Sequence, residues 1–219
     1  DLRADIRDLD VLTSSFKGIN PDVVIHLAAQ ALVQKSYKDP LTTYETNVIG
    51  TINVLKASQS LEELRAQLII TTDKVYKNVN KQSGYLESEP LGGHDPYSAS
   101  KAMADIATQS WLSSFENAPT AIARAGNVIG GGDISEHRLI PDLVNSYVSG
   151  LVPQLRAPNS VRPWQHVLDC LNGYLLLVDL LLIGKGEGVW NFGPDQEQTR
   201  TVSDVSELAG AIWGTKYKW

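Results

Sequence analysis

A tyrosine and a lysine four residues apart form the first pair in this sequence that could do chemistry together. Tyr97 and Lys101 stand in the stretch HDPYSASKAMA, directly after Pro96, which suits the first turn of a helix. Residues four apart share a helix face, so the phenol and the ammonium can point at the same small volume. A nearby cation lowers the pKa of a phenol from its usual value of about 10. The spacing therefore indicates a tyrosine that can act as a base, although an ordinary surface helix could carry the same two residues.

Short apolar runs alternate with longer helical patterns along the chain. Strands are predicted at VVIHLAA (23–29), QLIITT (67–72), TAIARAGNV (120–128) and VWNFG (189–193). Helices are predicted at 40–59, from Tyr97 to about 115, at 139–149, at 167–183 and from Thr201 or Ser203 onward. This alternation favours an α/β fold over residues 1–130, a doubly wound parallel sheet covered by helices on both faces. Residues 131–219, in which Pro, Trp and Arg are dense, are predicted to form a smaller α/β lobe.

Small or polar residues follow each of these strands. In an open parallel sheet, ligands bind beyond the carboxyl ends of the strands. The residues at the three ends are Ala28 and Ala29 in HLAAQ, Thr71, Thr72, Asp73 and Lys74 in TTDKVY, and Asn127 in RAGNVIGGGD. Each end alone has a plain explanation as a cap, a packing contact or a loop. Their coincidence with the Tyr97–Lys101 pair predicts one ligand-binding crevice.

Composition excludes several other classes of protein. A net charge of −6, with basic residues scattered along 219 positions, argues against a nucleic-acid binder. The single cysteine, Cys170, permits no internal disulfide and no thiolate metal cluster, so we expect a reducing cytoplasm and no metal site. The most apolar segment, 173–184, is too short to span a bilayer and carries Asp179, which indicates a core helix and no membrane association.

The stretches HLAAQ, TTDKVY, YSASK and RAGNVIGGGD resemble the extended short-chain dehydrogenase/reductase family, specifically its nucleotide-sugar 4,6-dehydratases. TTDKVYKN, PLGGHDPYSASKA and RPWQHVLD are most similar to the branch that acts on CDP-glucose. This resemblance covers essentially the whole chain. It implies a Rossmann-type fold, NAD as the cofactor, a nucleotide sugar (CDP-glucose) as the substrate, and a homodimer formed through the helices at 40–59 and 97–115. The CDP-glucose branch is associated with 3,6-dideoxyhexoses of bacterial surface polysaccharide such as the lipopolysaccharide O-antigen.

The same resemblance implies a role for each catalytic residue. Tyr97 would take the proton of the sugar 4-hydroxyl while a hydride passes from C4 to NAD, and Lys101 would bind the nicotinamide ribose and keep the phenol acidic. Thr72 would hydrogen-bond the 4-oxygen. The 4-ketone acidifies the C5 proton, so water can leave across C5 and C6 with Asp73 as the general acid on the 6-hydroxyl. The hydride then returns to C6, and net redox is zero.

Lys74 departs from the pattern of the related dTDP-glucose enzymes, which carry a glutamate at this place as the base for C5. A lysine with a pKa near 10.4 is protonated at neutral pH and could act as a base only if its surroundings lower that pKa by several units. Alternatively, its cation would stabilise the enolate. The third possibility is that the side chain simply points to solvent.

The remaining contacts implied by the resemblance fall into two sets. Those with the cofactor are Asp5, Ile6, Leu27, Ala28, Ala29, Gln30, Thr71, Tyr97 and Lys101. Those with the substrate and its diphosphate are Asn127, Arg138 and Arg162, of which the arginines present a planar fork that matches phosphate oxygens. A surface salt bridge is the ordinary alternative for either arginine, and we expect Trp164 in the core.

Both ends of the sequence look cut, and the N-terminal strands of the sheet and the glycine-rich pyrophosphate loop are expected to be missing. Without the backbone N–H groups of that loop, the diphosphate of NAD loses its main anchor. We therefore expect these 219 residues alone to bind NAD poorly and to be inactive. Two other functions stay open: a nucleotide-sugar epimerase or reductase, which has no need of Asp73 as an acid, and a non-catalytic dinucleotide-binding protein.

Overall fold

The computed structural model describes residues 1–81, 83–195, 199–215 and 219. The first elements are α1 (Leu9–Ile19), β1 (Val23–His26), α2 (Val33–Lys38), α3 (Pro40–Tyr44), a π-helical turn (Glu45–Ile49), α4 (Gly50–Ser58), β2 (Ala66–Thr72), a 3-10 turn (Asp73–Val75), α5 (Pro96–Ser114) and β3 (Thr120–Ala125). They are followed by β4 (Asn127–Ile129), α6 (Leu139–Val148), β5 (Val161–Arg162), β6 (Trp164–His166), α7 (Val167–Leu182), β7 (Gly188–Phe192), β8 (Arg200–Thr201) and α8 (Val202–Trp213).

Four parallel strands form the main sheet, in the order β1–β2–β3–β7. All of β3 and nearly all of β2 are buried, as expected for parallel strands covered on both faces. The pairing aligns Thr72, the last residue of β2, with Ala125, the last residue of β3. The α/β fold with a Rossmann-like parallel sheet and flanking helices, predicted from the alternating pattern, is confirmed.

The chain divides into two compact units. The first unit comprises 1–125 and 171–192, and the second comprises 126–170 and 193–219. The sequence pattern places a single boundary near residue 130, whereas residues 171–192 return to the first unit because β7 pairs with β3. The second unit contains two small sheets, a parallel pair of β4 with β6 and an antiparallel pair of β5 with β8.

Side-chain caps determine where several helices begin. Asp8, Asp39 and Asp95 each accept a hydrogen bond from a backbone N–H in the first turn of α1, α3 and α5, respectively. Thr201 and Asp204 form a reciprocal capping box at the start of α8. These bonds satisfy N–H groups that have no partner inside the helix, and each contributes about 1 kcal/mol.

Apolar side chains of the helices and strands form the core of the first unit. Around β1, the buried residues are Leu12, Val24, Val54, Ala57 and Leu61, contributed by α1, β1, α4 and the chain just beyond α4. In the centre of the sheet, Leu55 of α4 packs against Ile69 of β2 and Ile122 of β3. Burying one such side chain contributes roughly 1.5–3 kcal/mol, so these helices are held mainly by packing on the sheet.

Two predicted elements are divided in the structure. The strand predicted at 120–128 breaks at Gly126, where a Cβ atom would stand 2.7 Å from Cγ of Pro163, so β3 and β4 join different sheets. The helix predicted at 40–59 consists of α3, the π-helical turn and α4. Among the described residues, no helix combines the length and the apolar character that crossing a membrane requires.

Candidate active site

The end of β2 carries three side chains that contact one another. Thr72 is buried, and its hydroxyl donates to Oδ1 of Asp73 at 3.0 Å. The ammonium of Lys74 lies 3.4 Å from the same carboxylate oxygen. Asp73 and Lys74 are about one-third exposed, with side-chain exposures of 32% and 37%. A hydroxyl, a carboxyl group and an amine therefore stand together at the carboxyl end of a parallel strand, where ligands bind in such sheets.

Tyr97 is the second residue of α5, two positions after the cap residue Asp95. Asp95 fixes this turn because its carboxylate accepts from the backbone N–H of Ser98 at 3.0 Å and from the Ser98 hydroxyl at 2.6 Å. The backbone N–H of Tyr97 donates to the hydroxyl of Ser36 at 3.1 Å, which joins the start of α5 to α2. Tyr97 as a whole is partly buried. The helix predicted from Tyr97 to about 115 is confirmed, and it begins one residue earlier, at Pro96.

Lys101 is buried and is held by β2. Its Nζ donates to the carbonyl oxygen of Ile70 at 2.7 Å, two residues before Thr72. Burial lowers the pKa of Lys101 to about 8, and the nearby carboxylate of Asp105 opposes that shift. The side chain is therefore still mainly a cation at neutral pH. Val75 also packs against Ala102, so α5 contacts both β2 and the turn that carries Asp73 and Lys74.

The loop after β1 combines exposed small residues with one buried amide. Leu27 and Ala28 are exposed and Ala29 is partly buried. The Gln30 side chain is occupied, because its Nε2 donates to Thr43 at 3.0 Å and to a backbone carbonyl at 3.1 Å. The predicted cofactor loop thus presents backbone and small side chains outward, while Gln30 fixes the shape of the loop.

Asn47 in the π-helical turn connects that loop to α5. Its Oδ1 accepts from the backbone N–H of Gln30 at 2.8 Å, and its Nδ2 donates to the carbonyl of Gln30 at 3.1 Å and to the Ser100 hydroxyl at 2.9 Å. Asn47 is only 1% exposed. Sequence reasoning missed this residue, because an asparagine in a helical pattern is usually assigned to the surface.

Asp5 and Ile6, the residues predicted at the adenine, lie beside an open cleft lined by Asp5, Arg7, Asp8, Leu9, Asp10 and Glu45. Asp5 is exposed and hydrogen-bonded to Arg7, which lowers the pKa of Asp5 to about 2. Two features of α4 hold this segment. The amide of Asn53 donates to the carbonyls of residues 6 and 7 at 3.0 and 3.1 Å, and a Cβ at Gly50 would stand 2.5 Å from Cδ1 of Ile6.

The predicted substrate-binding residues lie in the second unit. Asn127 is in β4, and its buried Oδ1 has no hydrogen-bond partner among the described residues. Arg138 occupies the N-cap position of α6 without a side-chain cap bond. It lies 4.0 Å from the carboxylate of Asp133, which is an ion-pair distance and too long for a hydrogen bond. Arg162 is in β5, is partly buried, and donates from Nη1 to the Val161 carbonyl at 2.8 Å. Trp164 in β6 is only partly buried, with Nε1 donating to the Arg200 carbonyl at 3.3 Å.

Thr71 is placed differently from its neighbours. It is buried, and its hydroxyl donates to Oδ2 of Asp105 at 3.0 Å, so this side chain is directed at a buried carboxylate. Asp105 in turn binds Arg124. Sequence reasoning missed both residues, although an arginine inside the apolar strand pattern TAIARAGNV was a usable signal. Within the described residues, no cluster of three His, Cys, Asp or Glu side chains could hold a metal ion.

Comparison with protein families finds one match over most of the chain. Residues 2–193 match the model of the NAD dependent epimerase/dehydratase family. A CDP-glucose 4,6-dehydratase from Salmonella typhimurium is 41% identical over 225 residues, covering 98% of this chain and 63% of the Salmonella protein. A dTDP-glucose 4,6-dehydratase from Streptomyces griseus is 32% identical, covering 89% of this chain and 58% of that protein. The chain thus spans about 60% of the length of these relatives.

Solved structures of related proteins share the fold. A double mutant of the dTDP-glucose 4,6-dehydratase DesIV from Streptomyces venezuelae, with NAD and DAU bound, matches 97% of this chain and 63% of its own, with a TM-score of 0.83 and 25% identity. The UDP-glucose 4-epimerase of Thermus thermophilus in complex with NAD matches 99% of this chain and 70% of its own, with a TM-score of 0.86. At 24% identity, the latter shows the fold alone.

Proposed function

Because the chain belongs to the NAD dependent epimerase/dehydratase family, we propose that its protein is an NAD-dependent nucleotide-sugar 4,6-dehydratase. The observation that carries this proposal is the hydrogen bond of 2.7 Å from the Lys101 ammonium to the carbonyl of Ile70. This bond joins the helix of Tyr97 to the strand that ends at Thr72, directly before Asp73. The elements that carry the proposed base, Tyr97, and the proposed acid, Asp73, therefore pack against each other. An oxidation followed by an elimination requires both groups at one site.

Tyr97 would remove the proton from the sugar 4-hydroxyl. The cation of Lys101 on the same helix face favours the phenolate that this step needs, and burial makes such a charge effect stronger than it would be in water. Thr72 would hydrogen-bond the 4-oxygen as the hydroxyl becomes a ketone. Because the Thr72 hydroxyl now donates to Asp73, binding of a sugar would replace that internal bond.

Asp73 and Lys74 would carry the elimination. Loss of water across C5 and C6 takes one proton from C5 and delivers one to the leaving 6-hydroxyl. Asp73 would deliver that proton as the general acid. Lys74, 3.4 Å from Asp73, would act in one of two ways: as the neutral amine that accepts the C5 proton, or as the cation that stabilises the enolate while water takes that proton. In either case, an amine beside the acid supports a catalytic role for Lys74.

The residues around the strand ends fit NAD. When bound, NAD supplies the acceptor that takes a hydride from C4 of the sugar and gives it back at C6. Exposed Ala28 and the neighbouring Ala29 would allow close approach of the nicotinamide half, and Lys101 would bind its ribose. Asp5 and Ile6 would contact the adenine, with Asn53 of α4 holding their loop.

The substrate that we propose is CDP-glucose. The identity to the Salmonella CDP-glucose 4,6-dehydratase is 41%, whereas the identity to the Streptomyces griseus dTDP-glucose 4,6-dehydratase is 32%. This difference supports CDP over dTDP as the nucleotide of the substrate. Arg138, Arg162 and Asn127 would bind the diphosphate and the sugar-linked phosphate. We further propose a cytoplasmic homodimer whose 4-keto-6-deoxy product is a precursor of deoxysugars in bacterial surface polysaccharide.

A panel of nucleotide sugars tests this function. The full-length protein is incubated with NAD and with CDP-, dTDP-, UDP- or GDP-glucose, and the product is read by the alkaline ultraviolet absorbance of a 4-keto-6-deoxy sugar. We expect that product, with the highest kcat/KM for CDP-glucose. A 4-epimer without this absorbance would instead identify an epimerase, and NAD binding without turnover would identify a binding protein.

A further inference from the structure

A buried ion pair lies one helical turn beyond Lys101. The Asp105 and Arg124 side chains are 0% and 1% exposed. Arg124 donates from Nε to one carboxylate oxygen and from Nη2 to the other, both at 2.8 Å. This bidentate geometry fixes the orientation of both planar groups and therefore the spacing of α5 and β3.

The remaining bonds of the pair lead to the elements that carry the proposed chemistry. Asp105 also accepts from Thr71, the residue before Thr72, at 3.0 Å, and from Gln109 at 2.7 Å. The free edge of the guanidinium, Nη1, donates to the hydroxyl of Tyr76 at 2.9 Å and to the carbonyl of Glu87 at 3.0 Å. The pair thus bonds α5, the end of β2 and the chain on both sides of the turn that follows it.

A contribution to stability does not by itself explain why the Asp105 carboxylate and the Arg124 guanidinium are buried here. Removing a carboxylate and a guanidinium from water is costly, and apolar residues of similar size often replace a buried ion pair without loss of stability. The pair offers something that apolar residues lack, which is directional bonds to several elements at once and a negative charge close to Lys101.

We propose that Asp105 and Arg124 are a positioning pair that fixes α5, with Tyr97 and Lys101, against the β2 end that carries Thr72 and Asp73. This inference rests on the proposed function, because it assigns the pair to the geometry of that reaction. The bidentate bond sets the position of the helix, and the Asp105 carboxylate supports the positive charge of Lys101. Neither residue is required to touch the sugar.

The charge of Lys101 depends on few neighbours. Burial is the larger influence and lowers its pKa, and the Asp105 carboxylate raises it. His26 at the end of β1 is neutral, because burial and the Lys101 charge lower its own pKa to about 3. α5, β1, β2, β3 and the turn after β2 carry four other charged or titratable groups. These are Tyr97 on α5, Arg124 on β3, and Asp73 and Lys74 in the turn. Removing the Asp105 charge should therefore make Lys101 lose its proton at lower pH.

Three variants of the full-length protein separate the two roles of the pair. In Asp105→Asn, the alkaline limb of the kcat profile should move down by about one pH unit, because an opposite charge near Lys101 is lost. Arg124→Lys keeps the Asp105 carboxylate and removes the bidentate guanidinium bond. We therefore expect kcat to fall about tenfold and KM to change less than about threefold, while the alkaline limb of the kcat profile stays in place. The double variant Asp105→Leu with Arg124→Met leaves no unpaired charge. It should lower kcat about tenfold and move the alkaline limb by less than Asp105→Asn does, because a like charge is lost together with the opposite one.

Gln67→Leu is the matched control. Gln67 is a buried polar residue at the other end of β2, where it donates to Ser58 at 2.8 Å. Its loss should lower the melting temperature without changing the pH profile. If the three pair variants behave like Gln67→Leu, the pair is only structural and the proposal is wrong. Should a single variant fail to fold, the double variant decides.

A substrate-free measurement separates failure of this inference from failure of the proposed function. The Lys101 side-chain NMR resonance, assigned with Lys101→Arg, is titrated in wild type, Asp105→Asn and the double variant. We expect the midpoint to fall by about one pH unit in Asp105→Asn and by less in the double variant, which also loses the Arg124 cation. An unchanged midpoint overturns the role of Asp105 even if the enzyme is active. If no nucleotide sugar is turned over, the proposed function fails, and the titration still decides whether Asp105 supports Lys101.

Discussion

Tyr97 is the residue on which the proposed reaction depends most directly, since its oxygen would carry the proton of the first step. Replacing Tyr97, a partly buried residue, with Phe keeps the ring and removes only the hydroxyl. We expect kcat to fall by about 10²–10⁴-fold with little change in KM, the range typical of losing a general base. The measurement is steady-state dehydration of CDP-glucose by the full-length protein.

Tyr37→Phe is the control for that experiment. Tyr37 lies in α2 and is 61% exposed, so loss of its hydroxyl should leave both kcat and KM unchanged. Unaltered turnover in Tyr97→Phe would contradict both the dehydratase and the epimerase functions, because each needs the phenol at this position.

The lowered pKa of Lys101 predicts that activity and stability change in different directions as the pH becomes alkaline. Burial lowers its pKa to about 8 from the 10.5 of an exposed lysine. Activity that needs the ammonium should therefore fall as pH rises through about 8. Between pH 8 and 10.5, the unfolded chain binds this proton and the folded chain does not, so the contribution of Lys101 to the free energy of unfolding rises with pH in that window.

The check is kcat against pH, with circular dichroism recorded at each pH value. We expect kcat to decline while the fold persists. Full activity at pH 10 would show that the charge of Lys101 is not needed, and a parallel loss of ellipticity would attribute the decline to unfolding.

Several of these residues could be predicted from the sequence, and others could not, for a physical reason. Thr72, Asp73 and Lys74 follow a continuous apolar run, and Tyr97 follows a helix-start signal, so local patterns place them. The Asp105–Arg124 pair joins positions 19 residues apart, and pairing over that distance is set by how α5 packs on β3. A periodic pattern contains no information about such a contact.

At the scale of single elements, the cap of α5 determines where Tyr97 stands. Asp95→Ala removes the bonds to the backbone N–H and the hydroxyl of Ser98. We expect a loss of about 1 kcal/mol in the free energy of unfolding, the usual cost of an N-cap. We also expect kcat to fall about tenfold, because Tyr97 is in the turn that frays. Denaturant unfolding and steady-state kinetics measure the two effects.

Thr201→Ala supplies a comparison of the same kind. Thr201 caps α8 through the backbone N–H of Asp204 at 3.1 Å, so its loss should cost a similar free energy without changing kcat. Equal losses of kcat in the two variants would show that stability and not the position of Tyr97 controls the rate.

The elements that the sequence did not reveal share a cause. β5 and β8 have two residues each and β6 has three, which is too short for an alternating pattern to show. The π-helical turn at Glu45–Ile49 adds one residue to a helical turn, and the apolar spacing of 40–59 does not register it. Asn47 in that turn instead bonds to Gln30 and Ser100, which are contacts formed only when α5 and the β1 loop are in place.

At the scale of the whole molecule, an outward-facing stripe on α5 supports the proposed dimer. Met103 and Ile106 are 47% and 53% exposed, and Ser110 and Ser113 continue the same face at helical spacing. Apolar residues followed by small ones on one face allow two copies of a helix to pack closely. Each copy would then bury the apolar side chains that it exposes alone.

Ile106→Glu should therefore convert a dimer of the full-length protein into monomers, because two carboxylates would meet in the interface without partners. Ile212→Glu makes the same change at a residue of α8 that is 80% exposed, and it should leave the dimer intact. Sedimentation velocity of the wild type and both variants measures the outcome. If Ile106→Glu sediments as a dimer, this face of α5 is not the interface. If the wild type is itself a monomer, the dimer proposal fails, while the chemistry assigned to Tyr97, Lys101, Thr72 and Asp73 stands, because all four belong to the first compact unit of a single chain.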